Sequence, residues 1–200
     1  MPRVHFVKKA RTAKPEHGIA KGDSYYNWGL MIGRRGVKFY SKTRPKPQQL
    51  TRSEYRIAVL DVLDRIAEES LSPDDIDDII SDIRQIAEDQ DEKFNNLPDS
   101  LQNGSSGELL TERKDACEAW ADELEAVEAP EEIDETDIDD DDLEEHGFDP
   151  ADLEDDDGEV DEDALNEARE KAVAKYVEAK KQENLDEWRE AIRNCSTPDA

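Results

Sequence analysis

The stretch GDSYYNWGLMIGRRGVKFYSKTRPKPQQLTR, Gly22 to Arg52, decides how the rest of the chain is read. From Ser24 to Ile32 it alternates. Tyr26, Trp28, Leu30 and Ile32 fall on one face of an extended chain, and Tyr25, Asn27, Gly29 and Met31 on the other. Gly33-Arg34-Arg35-Gly36 has the glycines that a tight reversal needs. Val37 to Lys42 then returns, with Val37, Phe39 and Ser41 opposed to Lys38, Tyr40 and Lys42. This pattern predicts a β-hairpin. Thr43 to Pro47 contains Arg-Pro-Lys-Pro and leaves the sheet extended, because each proline disfavours helix in the residue before it.

N-terminal to the hairpin, Arg3 to Val7 reads as a short strand, and Lys8 to Pro15 as a basic, mobile loop. C-terminal to it the period changes. Thr51-Arg52-Ser53-Glu54 is a capping box that opens a helix, with Tyr55, Val59, Val62, Leu63 and Ile66 as its apolar positions. Ser72-Pro73-Asp74-Asp75 opens a second helix, whose stripe is Ile76, Ile79, Ile80, Ile83 and Ile86. Asn95 to Gly107 breaks the pattern. A third helix follows with Leu109, Leu110, Arg113, Ala116, Cys117, Trp120 and Leu124, and packs antiparallel on the second. Trp120 is expected to be the core anchor of that helical hairpin. From Ala129 the composition turns to Asp and Glu, and the scattered Ile133, Ile138, Leu143, Phe148, Leu153 and Val160 cannot make a core. Ala164 to Asn194 regains helical period through Leu165, Ala168, Ala172, Tyr176, Ala179, Trp188 and Ile192, with Glu167 and Lys171 as an i,i+4 pair.

The expected fold is therefore α+β, in four parts. These are a basic aromatic β-rich head (1–52), an acidic helical body (53–127, helices about 52–70, 73–92 and 108–127), an acidic disordered linker (128–163) and a C-terminal helix (164–195). Formal net charge over the 200 residues is −28, and 40% of them are charged. The head carries 13 Lys and Arg against two acids, whereas the linker carries 22 acids and no base. A split of this size is a statement about partners rather than about fold. It also sets the chain's own acids in competition with any outside polyanion for the head.

Catalytic and metal chemistry find little to stand on. His5 and His17 have no further ligands at metal spacing, and Cys117 and Cys195 are too far apart for a metal-binding pair. The Asp runs fail as EF-hand loops: with Gly158 or Gly147 in the glycine position, the twelfth residue is Ala164 or Leu153 rather than Glu. No Walker loop, dinucleotide fingerprint, Cys-x-x-Cys or nucleophile elbow occurs. The reading is of a non-enzyme with no cofactor and no small-molecule substrate. No apolar run has the length of a membrane span, so no membrane partner is expected.

The remaining signal is the basic aromatic head. Lys and Arg neutralise phosphates and release counterions, and aromatics stack on bases. The candidate nucleic-acid contacts are Lys8, Lys9, Arg11, Tyr25, Arg34, Arg35, Lys38, Tyr40, Lys42 and Arg44. Alternatively the head packs on the chain's own body. The acidic helices would then act on a protein partner, such as a host DNA-binding protein for which the carboxylates of Asp74, Asp75, Asp77, Asp78, Asp82, Glu118, Asp122, Glu123 and Glu125 imitate a phosphate row.

At MPRVHFVKKAR (Met1–Arg11), GDSYYNW (Gly22–Trp28), KFYS (Lys38–Ser41), LPDSLQ (Leu97–Gln102) and GELL (Gly107–Leu110), the chain resembles a group of tailed-phage and prophage proteins. The likeness covers roughly residues 1–127. It implies a phage origin, hence a host cytoplasmic or virion location, and no particular activity. The hairpin, through Ser24-Tyr25-Tyr26, Arg34-Arg35-Gly36 and Tyr40-Ser41-Lys42-Thr43, also resembles the small arm-binding domain at the front of phage integrases, and nothing resembles their catalytic domain.

Overall fold

The computed structural model describes residues 2–149 and 162–198. The fold is α+β: an N-terminal three-stranded antiparallel sheet is followed by helices. The strands are β1 (His5–Val7), β2 (Tyr25–Ile32) and β3 (Arg35–Ser41), in the order β1-β2-β3. The helices are α1 (Glu54–Ile66), α2 (Ile76–Asn95), α3 (Asp99–Gln102), α4 (Ser105–Glu125), α5 (Asp140–Leu143) and α6 (Glu162–Asn194). Among the described residues no helix is long and apolar enough to cross a membrane.

The hairpin has the expected strands but a tighter turn. Ile32 pairs with Arg35, so only Gly33 and Arg34 form the turn and Arg35 belongs to the strand. Gly33 takes φ +59 and among the described residues no non-glycine has positive φ, as in a type II′ connection with glycine first. The register sets Trp28 opposite Phe39 and Asn27 opposite Tyr40. Trp28 is buried, its ring stacks on Phe39 at 5.8 Å, and its indole N–H donates to the Gln49 carbonyl at 3.0 Å. Lys8 to Pro15 is not the free loop that composition indicated. Ala10 donates to the Asp23 carbonyl, Gly22 donates to the Ala10 carbonyl, and Ala10 and Ile19 are buried. The segment is a closed loop held at its neck.

By compactness the described chain forms two units. The first runs from the N-terminus to Glu69 and over Asp77–Asp122, with the residues after Cys195; the second comprises Ser70–Ile76 and Glu123–Cys195. The head is thus one unit with α1, α2 and α4 rather than a module ending at residue 52. The reason lies in the exit from β3. Lys46 donates to Asp64 at 2.9 Å, Gln48 donates to the Leu60 carbonyl and to Asp64, and Arg52 donates to the Met31 carbonyl at 3.2 Å.

The N-cap of α1 is Ser53 rather than Thr51: its hydroxyl accepts from the Arg56 N–H. Tyr55, Val59, Val62 and Ile66 are its buried face. Ser72 caps as expected and forms a capping box with Asp75, on a short turn at Pro73–Asp75 ahead of α2, which buries Ile79, Ile80, Ile83 and Ile86. Ion pairs give the relative direction of the helices. Arg65 meets Asp82 and Lys93 meets Glu54, so α1 and α2 are antiparallel. Lys114 meets Asp91 and Arg84 meets Asp122, so α2 and α4 are antiparallel too. Tyr55 touches the Cys117 thiol and the Arg113 guanidinium on α4, which adds α1 to the expected two-helix hairpin. Trp120 is buried, as expected of an anchor.

In the second unit the linker assignment needs correction for its described part. Ile138, Leu143 and Phe148 do make a core, with Ala172 and Val177 of α6, and Ile133, Leu165 and Tyr176 pack around them. Arg169 of α6 clamps the segment, with Nε 2.9 Å from Asp140 and Nη2 3.2 Å from the Ile138 carbonyl. Asp134, Glu135, Asp140, Asp141, Asp142, Glu144 and Glu145 are exposed, and Asp139 caps α5. The rest of the expected linker, 150–161 with Leu153 and Val160, lies outside the described residues.

Two outcomes follow from the packing. A Cβ at Gly107, near the start of α4, would lie 2.0 Å from the Gln102 carbonyl oxygen. Gly107→Ala should cost about 1–3 kcal/mol in denaturant unfolding, because the clash with backbone outweighs the ~1 kcal/mol helix-propensity gain. Phe148→Ala should speed amide exchange across 138–148 while leaving exchange in β2 and β3 unchanged; slow exchange persisting at 138–148 would mean that the small core does not hold this segment.

Candidate nucleic-acid interface

The sheet has two chemically different faces, set by its register. Phe6, Tyr26, Trp28, Leu30 and Ile32 share one with Arg35, Val37, Phe39 and Ser41. Its inner half, at Trp28 and Phe39, is covered. His5, Val7, Tyr25, Asn27, Gly29 and Met31 share the other with Lys38 and Tyr40, and Lys42 follows the end of β3. Three of the candidate contacts, Tyr25, Lys38 and Tyr40, are thereby brought to one face, and Tyr25 and Tyr40 meet at 6.0 Å. Arg34 stands at the turn, and Arg35 lies on the opposite face. Lys8, Lys9 and Arg11 follow β1 into the closed loop, and Arg44 follows β3.

Most of these cations are free of the chain's own acids. Lys8, Lys9, Arg11, Arg34, Arg35, Lys38 and Arg44 are exposed and make no ion pair among the described residues. Lys42 differs, since its ammonium is 2.9 Å from Asp23. That bond, together with one from the Ala20 N–H at 3.0 Å, holds the Asp23 carboxyl below its ordinary pKa. The pair is exposed, so it positions the loop neck more than it stabilises the fold.

Tyr40 is less available than its sequence position implied. The Lys14 ammonium sits 4.0 Å above the ring and the His17 ring lies 5.0 Å away. Lys14 therefore touches the site although sequence reasoning placed it in a mobile loop. A signal was present in Pro15-Glu16-His17-Gly18, proline at the start and glycine just past the end of a short helical turn. The turn forms at Pro15–His17, Gly18 takes φ +65, and Lys14 bridges to Ile19. With one ring face taken by a cation, Tyr40 is a poor platform for an unpaired base, and the arrangement favours phosphate contact over stacking.

No ionisable group of the sheet is buried. Among the described residues no group of three or more His, Cys, Asp or Glu could hold a metal ion. No family model, no curated protein and no solved structure matches the chain.

Asp23 gives a pH test. Its folded pKa is depressed, so the Lys42 bond contributes above the ordinary carboxylate pKa and is lost as pH falls through the lower folded value. Carboxyl-carbon NMR should give Asp23 a midpoint below the ordinary aspartate pKa, and Lys42→Ala should move that midpoint upward. An unmoved midpoint would mean that the pair does not form in solution.

Proposed function

We propose that this chain is a non-enzymatic phage accessory protein of the host cytoplasm that binds nucleic acid through the basic N-terminal hairpin. One observation carries the reading. Between Asp23 and Glu54 there is no acid at all, in a chain with 54 Asp and Glu, and Arg34, Arg35, Lys38 and Arg44 of that stretch, with Lys8, Lys9 and Arg11 before it, make no ion pair among the described residues. Cations that served the fold would be paired, as Lys46 is with Asp64. Seven unpaired ones on and beside a sheet form the kind of electrostatic footprint that phosphates recognise. The phage context rests on the resemblance of the opening residues.

The alternative, an acidic helical surface that mimics DNA, draws less support. Of the acids it needs, Asp82, Glu118 and Asp122 are ion-paired to Arg65, Lys114 and Arg84, and Asp75 is occupied in the capping box. Nor does the body neutralise the head directly: none of the candidate cations is ion-paired to a helix among the described residues.

Salt titration of the full chain on a short DNA duplex tests the reading. The log–log slope should be roughly −4 to −6, at about −0.9 per phosphate contact. Arg34→Ala with Arg35→Ala should flatten it by roughly 1.8 and weaken binding at all salt concentrations. No binding of DNA or RNA at low salt by the folded chain would overturn the proposal and leave the head as a protein-docking module.

A further inference from the structure

The outer half of the hairpin is built unlike its inner half. β1 pairs only with Tyr25, Tyr26 and Asn27, so from Trp28 to Phe39 the sheet is a ribbon two strands wide. On the edge that β1 leaves open, Arg52 donates to the Met31 carbonyl and braces the ribbon one residue before its last pair. Beyond the brace the side chains are uncovered. Met31 is 63%, Ile32 41% and Val37 36% exposed. Ile32 and Val37 are diagonal neighbours on one face, and Met31 is on the other. Arg34 and Arg35 sit between these apolar residues in the chain, exposed and unpaired.

An uncovered apolar tip needs an occupant, and the surrounding charge selects it. With no acid between Asp23 and Glu54, and two free guanidiniums at the turn, the tip suits a polyanion that also offers apolar surface. Double-stranded DNA does: its phosphates lie outside and its base planes inside. Arginines enter a minor groove readily, and Ile or Met side chains can wedge between base steps once there. The occupied ring face of Tyr40 argues against an unpaired strand stacked on the sheet.

We infer that the hairpin tip is a minor-groove wedge: Arg34 and Arg35 bind flanking phosphates or the groove floor, and Ile32, aided by Met31 and Val37, inserts between base pairs and bends the duplex. This inference rests on the nucleic-acid reading and adds the partner, duplex DNA, and the mode, unstacking.

The test uses the full chain and a DNA duplex labelled at both ends for energy transfer, with 2-aminopurine at its centre. Wild-type protein should shorten the end-to-end distance and raise 2-aminopurine fluorescence. It should also bind a duplex carrying a central mismatch about tenfold more tightly than the matched one, because unstacking there is already partly done. Ile32→Ala with Met31→Ala removes exposed side chains and leaves the buried core untouched. That variant should keep the salt slope and lose the bend and the mismatch preference. Binding with straight DNA and no mismatch preference would overturn the wedge and keep the nucleic-acid reading. Binding to duplex RNA alone, or to anionic vesicles with no DNA bending, would overturn the wedge as well. Failure to bind any nucleic acid would overturn both.

Discussion

Trp28 joins two bodies of opposite charge without using charge. Its ring is the buried side chain of the sheet, stacked on Phe39, and its N–H reaches the Gln49 carbonyl in the turn ahead of α1. A buried indole gains from its large apolar area and needs only one polar partner. The neighbouring anchors have the same character: Gln48 on the Leu60 carbonyl, Arg52 on the Met31 carbonyl. Lys46, after the last strand, adds an ion pair to Asp64 of α1, but backbone carbonyls and apolar surface do the rest of the fastening, so the cations of the strands themselves are not consumed. A head fastened by salt bridges would have had none left to offer.

Among the helices, charge serves a different purpose. Arg65–Asp82, Lys93–Glu54, Lys114–Asp91 and Arg84–Asp122 are exposed pairs, and such pairs contribute little, at most about 1 kcal/mol each. The isoleucines of α2 and the Tyr55, Cys117 and Trp120 contacts supply the cohesion. What the pairs provide is choice of register: with acids so dominant, each of the few bases marks a place where two helices can meet without repulsion. Sliding α2 along α1 would bring acid to acid.

Particular residues show why some of this was legible in the sequence and some was not. The alternation around Trp28 and the isoleucine stripe of α2 are periodic, and period follows from local geometry. The candidate cations needed no fold to be noticed. Ile138, Leu143 and Phe148 are five apart, a spacing of neither helix nor strand, because the chain there is a run of short turns laid on α6. Their partner Ala172 is far along the sequence, so nothing local announced it. Likewise Ala10 and Ile19 are single apolar residues in a basic loop, and only the closure of that loop on Asp23 buries them. The same closure puts Lys14 on Tyr40, which changes a stacking candidate into an occupied ring.

The Tyr55–Cys117 contact also has a bearing on synthesis, since its partners are 62 positions apart. At about 5–20 residues per second, roughly 3–12 s separate their appearance on the ribosome. During that interval the apolar stripe of α1 is made and its cover on α4 is not. The residues translated meanwhile include Asp74, Asp75, Asp77, Asp78 and Asp82, and these acids offset the basic head, so that residues 1–117 together are close to neutral. With so little net charge to hold neighbouring nascent chains apart in that interval, the stripe stays sticky until α4 arrives to cover it.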